Sequence, residues 1–372
     1  MSDNMEDYSS TEEEYSSEDF SSTEEDQASD ETIDFIGRIL NGKYMIVKEI
    51  DQGSYSSVWM AYDLKYDQFV ALKLQGEKHT AIAEKEAKVM EQFKSEPLFM
   101  KLIDTFKFQR KRLCFVFPIL GYNINDVTTY NSLNIIDLKI ILKQILQGLD
   151  ILHSNYGYIH ADIKPENILF VEPSPINQEI MSIIRGIVRG ITSQDLTDRT
   201  KIRWIKYILD KTKFKIKDKS KRFQKPKHNN ICITDFGFSM PNNTAKKKKK
   251  HLNFTIQTVY YEAPEVILED KYNHKIDIWS FGCLAYELVT QQLLFHPKDS
   301  EDYTEEQEHL FMIHDRLGKL DGKSLRDSTY FNEFFNKKTN LLARLDDKGR
   351  RKYKSLKNKL KSELPKIFNE EQ

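Results

Sequence analysis

His160-Ala161-Asp162-Ile163-Lys164-Pro165-Glu166-Asn167 is the stretch on which the reading of this chain turns. An Asp, a Lys two residues on and an Asn five residues on fall in one tight loop. Asp162 can accept a proton from a hydroxyl, Lys164 can offset charge on a transferring phosphoryl group, and Asn167 can ligate a divalent ion. Phosphoryl transfer needs this set, because its catalysis is mostly positioning and charge neutralisation.

Working outward, the next stretch downstream is Thr234-Asp235-Phe236-Gly237, after the apolar run Ile231-Cys232-Ile233. Asp235 offers a hard cation such as Mg²⁺ the carboxylate oxygen it prefers. Ala263-Pro264-Glu265 then closes the segment between. Upstream, Phe69-Val70-Ala71-Leu72-Lys73-Leu74 reads as a strand carrying a cation for nucleotide phosphates. Ile82, Ala83, Glu86, Val89, Met90 and Phe93 recur at helical spacing over 80–94. Glu86 is the natural carboxylate partner of Lys73, with Glu84 two residues away as the competitor. Ile50-Asp51-Gln52-Gly53-Ser54-Tyr55-Ser56-Ser57-Val58 joins two strands, and its glycine lets backbone N–H groups approach a phosphate. A single glycine in a hairpin is by itself an ordinary turn, and Asp-Phe-Gly by itself is a common one. The order of the pieces carries the argument.

Taken together these motifs resemble a eukaryotic-type serine/threonine protein kinase, from about Asn41 to about Leu345. Asn41-Gly42-Lys43-Tyr44, Ile119-Leu120-Gly121, Gln147-Gly148-Leu149-Asp150, Glu301-Asp302-Tyr303-Thr304, His309, Leu317-Gly318-Lys319 and Glu333-Phe334-Phe335 look like the SR-protein kinases within that family. The resemblance implies an α+β bilobal fold, a β-rich N-lobe over 32–120 and a helical C-lobe over 121–345. It implies ATP and Mg²⁺ as cofactors, and protein Ser/Thr hydroxyls as acceptors, in Arg/Ser-rich substrates. Asp162 is then the catalytic base, assisted by Lys164. Lys73 and Glu86 position the phosphates, and Asn167 and Asp235 hold the metal. Residues Ile50 to Val58 cover the nucleotide, while Ala71, Leu120 and Leu169 join Val58 around adenine and Phe117 guards the pocket behind. Glu308 and Asp315 fall where the family docks arginine-rich substrates.

Some positions depart from the pattern. Asp51 stands where such loops usually carry their first glycine. Ala161 replaces the arginine that often precedes the catalytic Asp, so activity is expected without phosphorylation of the activation segment. Glu262 reverses the charge of an arginine in the larger kinase group. The C-terminal segment 346–372 is Lys-rich and shows no clear partner for Glu265. A pseudokinase scaffold would explain these departures, and a basic RNA-binding module built on an insert is a third reading. Nucleic acid is not an expected partner.

Charge divides the chain. Residues 1–31 carry 13 Asp/Glu and no Lys or Arg, and the remaining 44 acidic side chains face 56 Lys/Arg, a net of +12. The Ser-rich acidic segment reads as disordered, with too little apolar surface to offset ordering entropy. Residues 171–230 read as a basic insert with 15 Lys/Arg and 6 Asp/Glu, opening on helical spacing at Ile180, Ile184, Ile187, Val188 and Ile191. Lys246 to Lys250 form a lysine run that the acidic segment could cover. No apolar run is long enough for a membrane span. The N-terminus lacks the basic-then-apolar start of a secretory signal. Cys114, Cys232 and Cys283 form no metal or disulfide pattern, which points to a reducing compartment, cytoplasmic with access to the nucleus. A monomer is expected.

Overall fold

The computed structural model describes residues 35–53, 56–108, 112–130, 133–192, 203, 207, 226–242, 256–348 and 350–369. The acidic segment 1–31, most of the basic insert and the lysine run Lys246–Lys250 lie outside these residues.

A six-stranded antiparallel sheet builds the first lobe: β1 Ile39–Leu40, β2 Tyr44–Gln52, β3 Ser56–Asp63, β4 Gln68–Gln75, β5 Asp104–Phe108 and β6 Arg112–Pro118. They lie in the order β1-β2-β3-β4-β6-β5. One face packs Phe35, Ile46, Trp59, Ala61, Val70, Leu72 and Val116 into a small cluster. The other face turns Met45, Met60, Ala71, Phe115 and Phe117 toward a larger core continuous with the second lobe. This two-sided burial explains the near-continuous apolar run of β4 and β6, because alternation is lost when both faces are covered. Register shifts between Ile46 and Lys48 and between Glu49 and Asp51 bend the β2–β3 hairpin.

Helix α1, Thr80–Gln92, buries Ala83, Glu86, Val89 and Met90 and leaves Ile82 45% exposed, so the predicted apolar stripe is narrower than its spacing suggests. Beyond Pro118 come α2 Ile124–Tyr130 and α3 Ile135–Asp150. Asn134 caps α3 through the Ile136 and Asp137 N–H groups, and Asp137 returns a bond to the Asn134 N–H, the reciprocal arrangement that fixes a helix start. Leu146 of α3 is 42% exposed. Gly148 is needed where α3 meets the strand behind it, since a Cβ there would lie 2.6 Å from Ile233 Cδ1.

The short strands β7 Tyr158–Ile159 and β8 Ile168–Phe170 flank the catalytic stretch. β8 pairs antiparallel with β9 Ile231–Ile233, Phe170 opposite Ile231. The insert therefore leaves and re-enters at adjacent points of one hairpin. Its first part is α4, Pro175–Thr192, which buries Ile176, Ile180, Met181 and Ile184. The Arg185 guanidinium lies 5.5 Å from the Phe69 ring centre, so α4 touches β4 of the first lobe. Strand β10, Met240–Pro241, pairs with β7.

The second lobe continues with α5 Pro264–Ile267, α6 Lys275–Thr290, α7 Glu305–Leu317, α8 Phe331–Phe334 and α9 Leu356–Asn369. Here one expectation is corrected. The stretch after residue 345 is part of the lobe: α9 packs on α6 and α7, and Leu356 and Leu360 lie against the main core. The burial of Arg350, at 8% exposure, begins this docking. Among the described residues no helix is long and apolar enough to cross a membrane.

Candidate active site

The catalytic stretch is held from behind by one buried carboxylate. Asp277, fully buried near the start of α6, accepts the His160 N–H (2.8 Å) and the Ala161 N–H (2.8 Å) and lies 2.7 Å from His153 Nε2. These bonds hold Ala161 at φ 67°, a left-handed conformation that costs an alanine energy. His160 is wedged as well: its Nε2 lies 3.0 Å from Thr234 O, and its Nδ1 accepts the Asp162 N–H at 3.2 Å. That pairing fits the neutral ring with its proton on Nε2. Asp277 was not legible as a site residue in the sequence.

Asp162 sits in front of this frame, 4% exposed. The Thr258 hydroxyl donates to its Oδ1 (2.8 Å), Lys164 Nζ lies 2.8 Å from its Oδ2, and Asn167 Nδ2 donates to Oδ2 (2.9 Å) and to its backbone carbonyl (2.8 Å). Lys164 also donates to Thr258 Oγ1 at 2.9 Å. Thr258 thus joins the site.

Asp235 reaches the same cleft from the other side. The Thr234 N–H donates to Asn167 O (2.9 Å), which ties the Asp-Phe-Gly stretch to the catalytic loop. Asp235 takes φ 63° and points its Oδ1 to within 3.1 Å of Lys73 Nζ. Phe236 is fully buried, its ring centre 4.8 Å from Phe93, 5.6 Å from Phe99 and 5.0 Å from His160.

Lys73 bridges Asp235 and Glu86, whose Oε1 is 3.3 Å away. Desolvation lowers the Lys73 ammonium, and the two carboxylates more than reverse this and hold its pKa above the ordinary value. Loss of solvent raises the Asp235 carboxyl, while the charge and hydrogen bond of Lys73 outweigh it and keep Asp235 below its ordinary range. Glu86 is pushed up by burial against the pull of Lys73. Glu84, the competing partner, pairs instead with Lys107 at 2.8 Å.

The roof of the cleft is the β2–β3 hairpin. Asp51 stands opposite Val58 and Gln52 opposite Ser57, and the Gly53 N–H donates to Ser56 O (2.9 Å). Asp51 is exposed, and its Oδ1 accepts the Gln52 N–H at 3.0 Å. Ser54 and Tyr55 lie outside the described residues. Ala71 pairs with Phe117 and Val58 with Lys73, so Val58, Ala71 and Phe117 share the inner end of the sheet with the cation. Leu120 and Leu169 are half-buried below it. Gly121 donates to Phe170 O (2.8 Å), and a Cβ there would collide with the Glu172 carbonyl, so this crossing between the lobes requires glycine.

Both acids of the expected docking pair have partners within the chain. Asp315 is held by a bidentate Arg350 fork (2.9 and 3.3 Å) and accepts the Tyr353 N–H at 3.0 Å. Glu308 accepts the Tyr353 hydroxyl. The segment 350–353 therefore satisfies both carboxylates from within the chain. Arg350 is spent on Asp315, and Glu265 makes no ion pair among the described residues.

Comparison with known proteins agrees with this geometry. The protein kinase domain family matches residues 44–192 and 219–360, broken inside the insert. The chain belongs to that family and is an ATP-dependent serine/threonine protein kinase. It is similar to the serine/threonine-protein kinase SRPK of Physarum polycephalum, 31% identical over 82% of this chain and 74% of that one. It is similar to SRSF protein kinase 3 of Mus musculus, 24% identical over 82% and 78%. A solved kinase-domain crystal structure superposes with TM-score 0.63 at 24% identity, covering 89% of this chain and 85% of that one, and supports the bilobal fold.

Proposed function

We propose that this kinase transfers the ATP γ-phosphoryl group to serine or threonine in Arg/Ser-rich proteins, with Mg²⁺, and without prior phosphorylation of its activation segment. The observation that carries the reading is the Asp162 carboxylate, held between Thr258, Lys164 and Asn167 and facing the Lys73–Asp235 pair. Asp162 accepts the proton of the acceptor hydroxyl as the new P–O bond forms, and Lys164 offsets negative charge on the phosphoryl oxygens. Lys73, anchored by Glu86, holds the nucleotide phosphates.

The donor set fits a magnesium ion. Asn167 spends its amide N–H groups on Asp162 and keeps its carbonyl oxygen free of those bonds; Asp235 keeps one carboxylate oxygen off Lys73. Mg²⁺ is commonly held by one or two protein oxygens plus substrate phosphates rather than by an all-protein cage. Among the described residues there is no such cage. When bound, the ion would neutralise charge between the phosphates.

Two observations support independence from phosphorylation. Ala161 offers no cation for a phosphate, and the Lys73–Glu86 pair and the Thr258–Asp162 bond are already closed. The Arg/Ser preference rests on the similarity to the kinases named above. A scaffold reading would leave the intact set Lys73, Asp162, Asn167 and Asp235 without a use. The test is radiolabel transfer from Mg-ATP to an Arg-Ser repeat protein, before and after phosphatase treatment of the kinase. Transfer that survives phosphatase and vanishes in Asp162→Asn is expected. Equal signal in wild type and Asp162→Asn would overturn the assignment of the base, and loss on phosphatase treatment would overturn the unregulated state.

A further inference from the structure

The segment between Thr258 and α5 is bolted to α6. Gln257 Nε2 donates to Ile276 O (3.2 Å) and Ser280 Oγ (2.8 Å), and its Oε1 accepts the Ala263 N–H (2.9 Å). Ser280 Oγ donates to Tyr261 O (2.8 Å), and the Tyr261 hydroxyl reaches Glu287 at 2.5 Å. Glu262 lies inside this frame, so buried bonds of its neighbours fix its place.

Glu262 is itself 8% exposed. Its N–H donates to Val259 O (3.2 Å), but its carboxylate has no hydrogen-bond or ion-pair partner among the described residues. The charged groups that act on it are Glu306 and Glu305, both in the first turn of α7. Burial first, then these two acids, push its carboxyl up to about 8. Buried carboxylates are almost always paired or hydrogen-bonded. Three acids converging with no cation among them make half of an ion pair.

The missing half has a natural source. Glu262 is four residues beyond Thr258, whose hydroxyl touches the catalytic base at 2.8 Å. Four residues span about 14 Å at most when fully extended, and the 3₁₀ turn at Val259–Tyr261 shortens the path. An extended peptide with its acceptor hydroxyl at Asp162 covers that span in a few residues.

We propose that Glu262, with Glu305 and Glu306, forms the specificity subsite for a basic side chain of the substrate, arginine before lysine, within about three residues of the phosphorylated hydroxyl. Arginine is favoured because its planar fork meets a carboxylate with two hydrogen bonds and loses less on desolvation. The proposal rests on the kinase reading above and adds the residue that reads the sequence around the acceptor.

The full chain with Mg-ATP is assayed on peptides carrying one serine in a neutral background. A single Arg is walked through the three positions on either side and compared with Lys, Gln and Glu at each. At one or two positions kcat/KM for Arg should exceed that for Gln by about tenfold or more, the size of one charge-assisted bond in a desolvated site. Within Glu262→Gln the Arg/Gln ratio should fall toward unity, and within Glu262→Arg the Glu peptide should overtake the Arg peptide. Glu305→Gln/Glu306→Gln should lower the ratio by a smaller factor. Glu262→Gln keeps the shape of the side chain and removes the carboxyl that can ionise against a bound arginine, so it decides the question if Glu262→Arg does not fold. Equal kcat/KM for Arg and Gln at every position, or an unchanged ratio in Glu262→Gln, would overturn the subsite and leave the kinase intact. Phosphorylation of no peptide and no protein would overturn both.

Discussion

Replacing Glu262 by glutamine should stabilise the protein, and by an amount that grows with pH. The carboxyl titrates near 4.5 when unperturbed and at about 8 in the fold, raised by burial and then by Glu306 and Glu305. Between these values the folded chain keeps a proton that the unfolded chain has released. Stability therefore falls as pH rises from the lower value to the upper, and is level beyond it. Glutamine has no such proton, so the difference between variant and wild type isolates this one group. A shift of this size, at about 1.4 kcal/mol per unit, gives a gap of about 1 kcal/mol at pH 5, about 3 kcal/mol at pH 7 and about 5 kcal/mol at pH 9.

Thermal melts of both proteins at fixed ionic strength would read this out. For a chain of this size each kcal/mol moves Tm by about 2 °C, so the curves should separate by about 2 °C at pH 5 and by about 10 °C at pH 9. Two melting curves that run parallel from pH 5 to pH 9 would refute the reasoning, because a carboxylate with solvent or a hidden cation as partner gives a constant offset.

Arg350→Ala should lower the denaturation midpoint by about 3–5 kcal/mol equivalent, because it leaves Asp315 buried without its fork, and Arg350→Lys should recover only part. Gly148→Ala should cost about 1–3 kcal/mol in urea unfolding, since its Cβ would press on Ile233, now 2.6 Å from that point. Asp162→Asn should reduce kcat by about 10²–10⁴ while Mg-ATP binding, followed by calorimetry, is retained.

The sequence told most where chemistry and local pattern coincide. Helical spacing put Glu86 rather than Glu84 on the buried face of α1, and the Lys73–Glu86 contact follows from that alone. Lys164, Asn167 and Asp162 share one short loop, so their meeting needs no knowledge of the fold. What stayed hidden depends on distant backbone. Asp277 grips the N–H groups of residues 160 and 161 from α6, and a backbone donor leaves no mark on residue choice. Strand β5, Asp-Thr-Phe-Lys-Phe, is too short and too polar to announce itself without its partner β6. Arg350 reads as one more cation in a Lys-rich run, and only the folded chain places Asp315 opposite it.

That last pairing bears on how the kinase meets its substrate. Helix α7 carries acids along its length, and they divide by what answers them. Glu308, in the first turn, and Asp315, in the last, are satisfied by Tyr353 and Arg350 of the same chain. At its N-terminal turn, Glu305 and Glu306 stand beside Glu262 with no cation acting on the group. Burying Arg350 over Phe311, 4.9 Å from the ring centre, couples the first pair to the core, so a passing arginine cannot displace it without loosening the lobe. Negative charge that is free to select a basic substrate is thereby concentrated at one end of the helix, nearest the segment that touches the catalytic base. Glu262, which stands where the larger kinase group has an arginine, belongs to that end: it adds a third acid to its neighbours instead of a cation that would neutralise them.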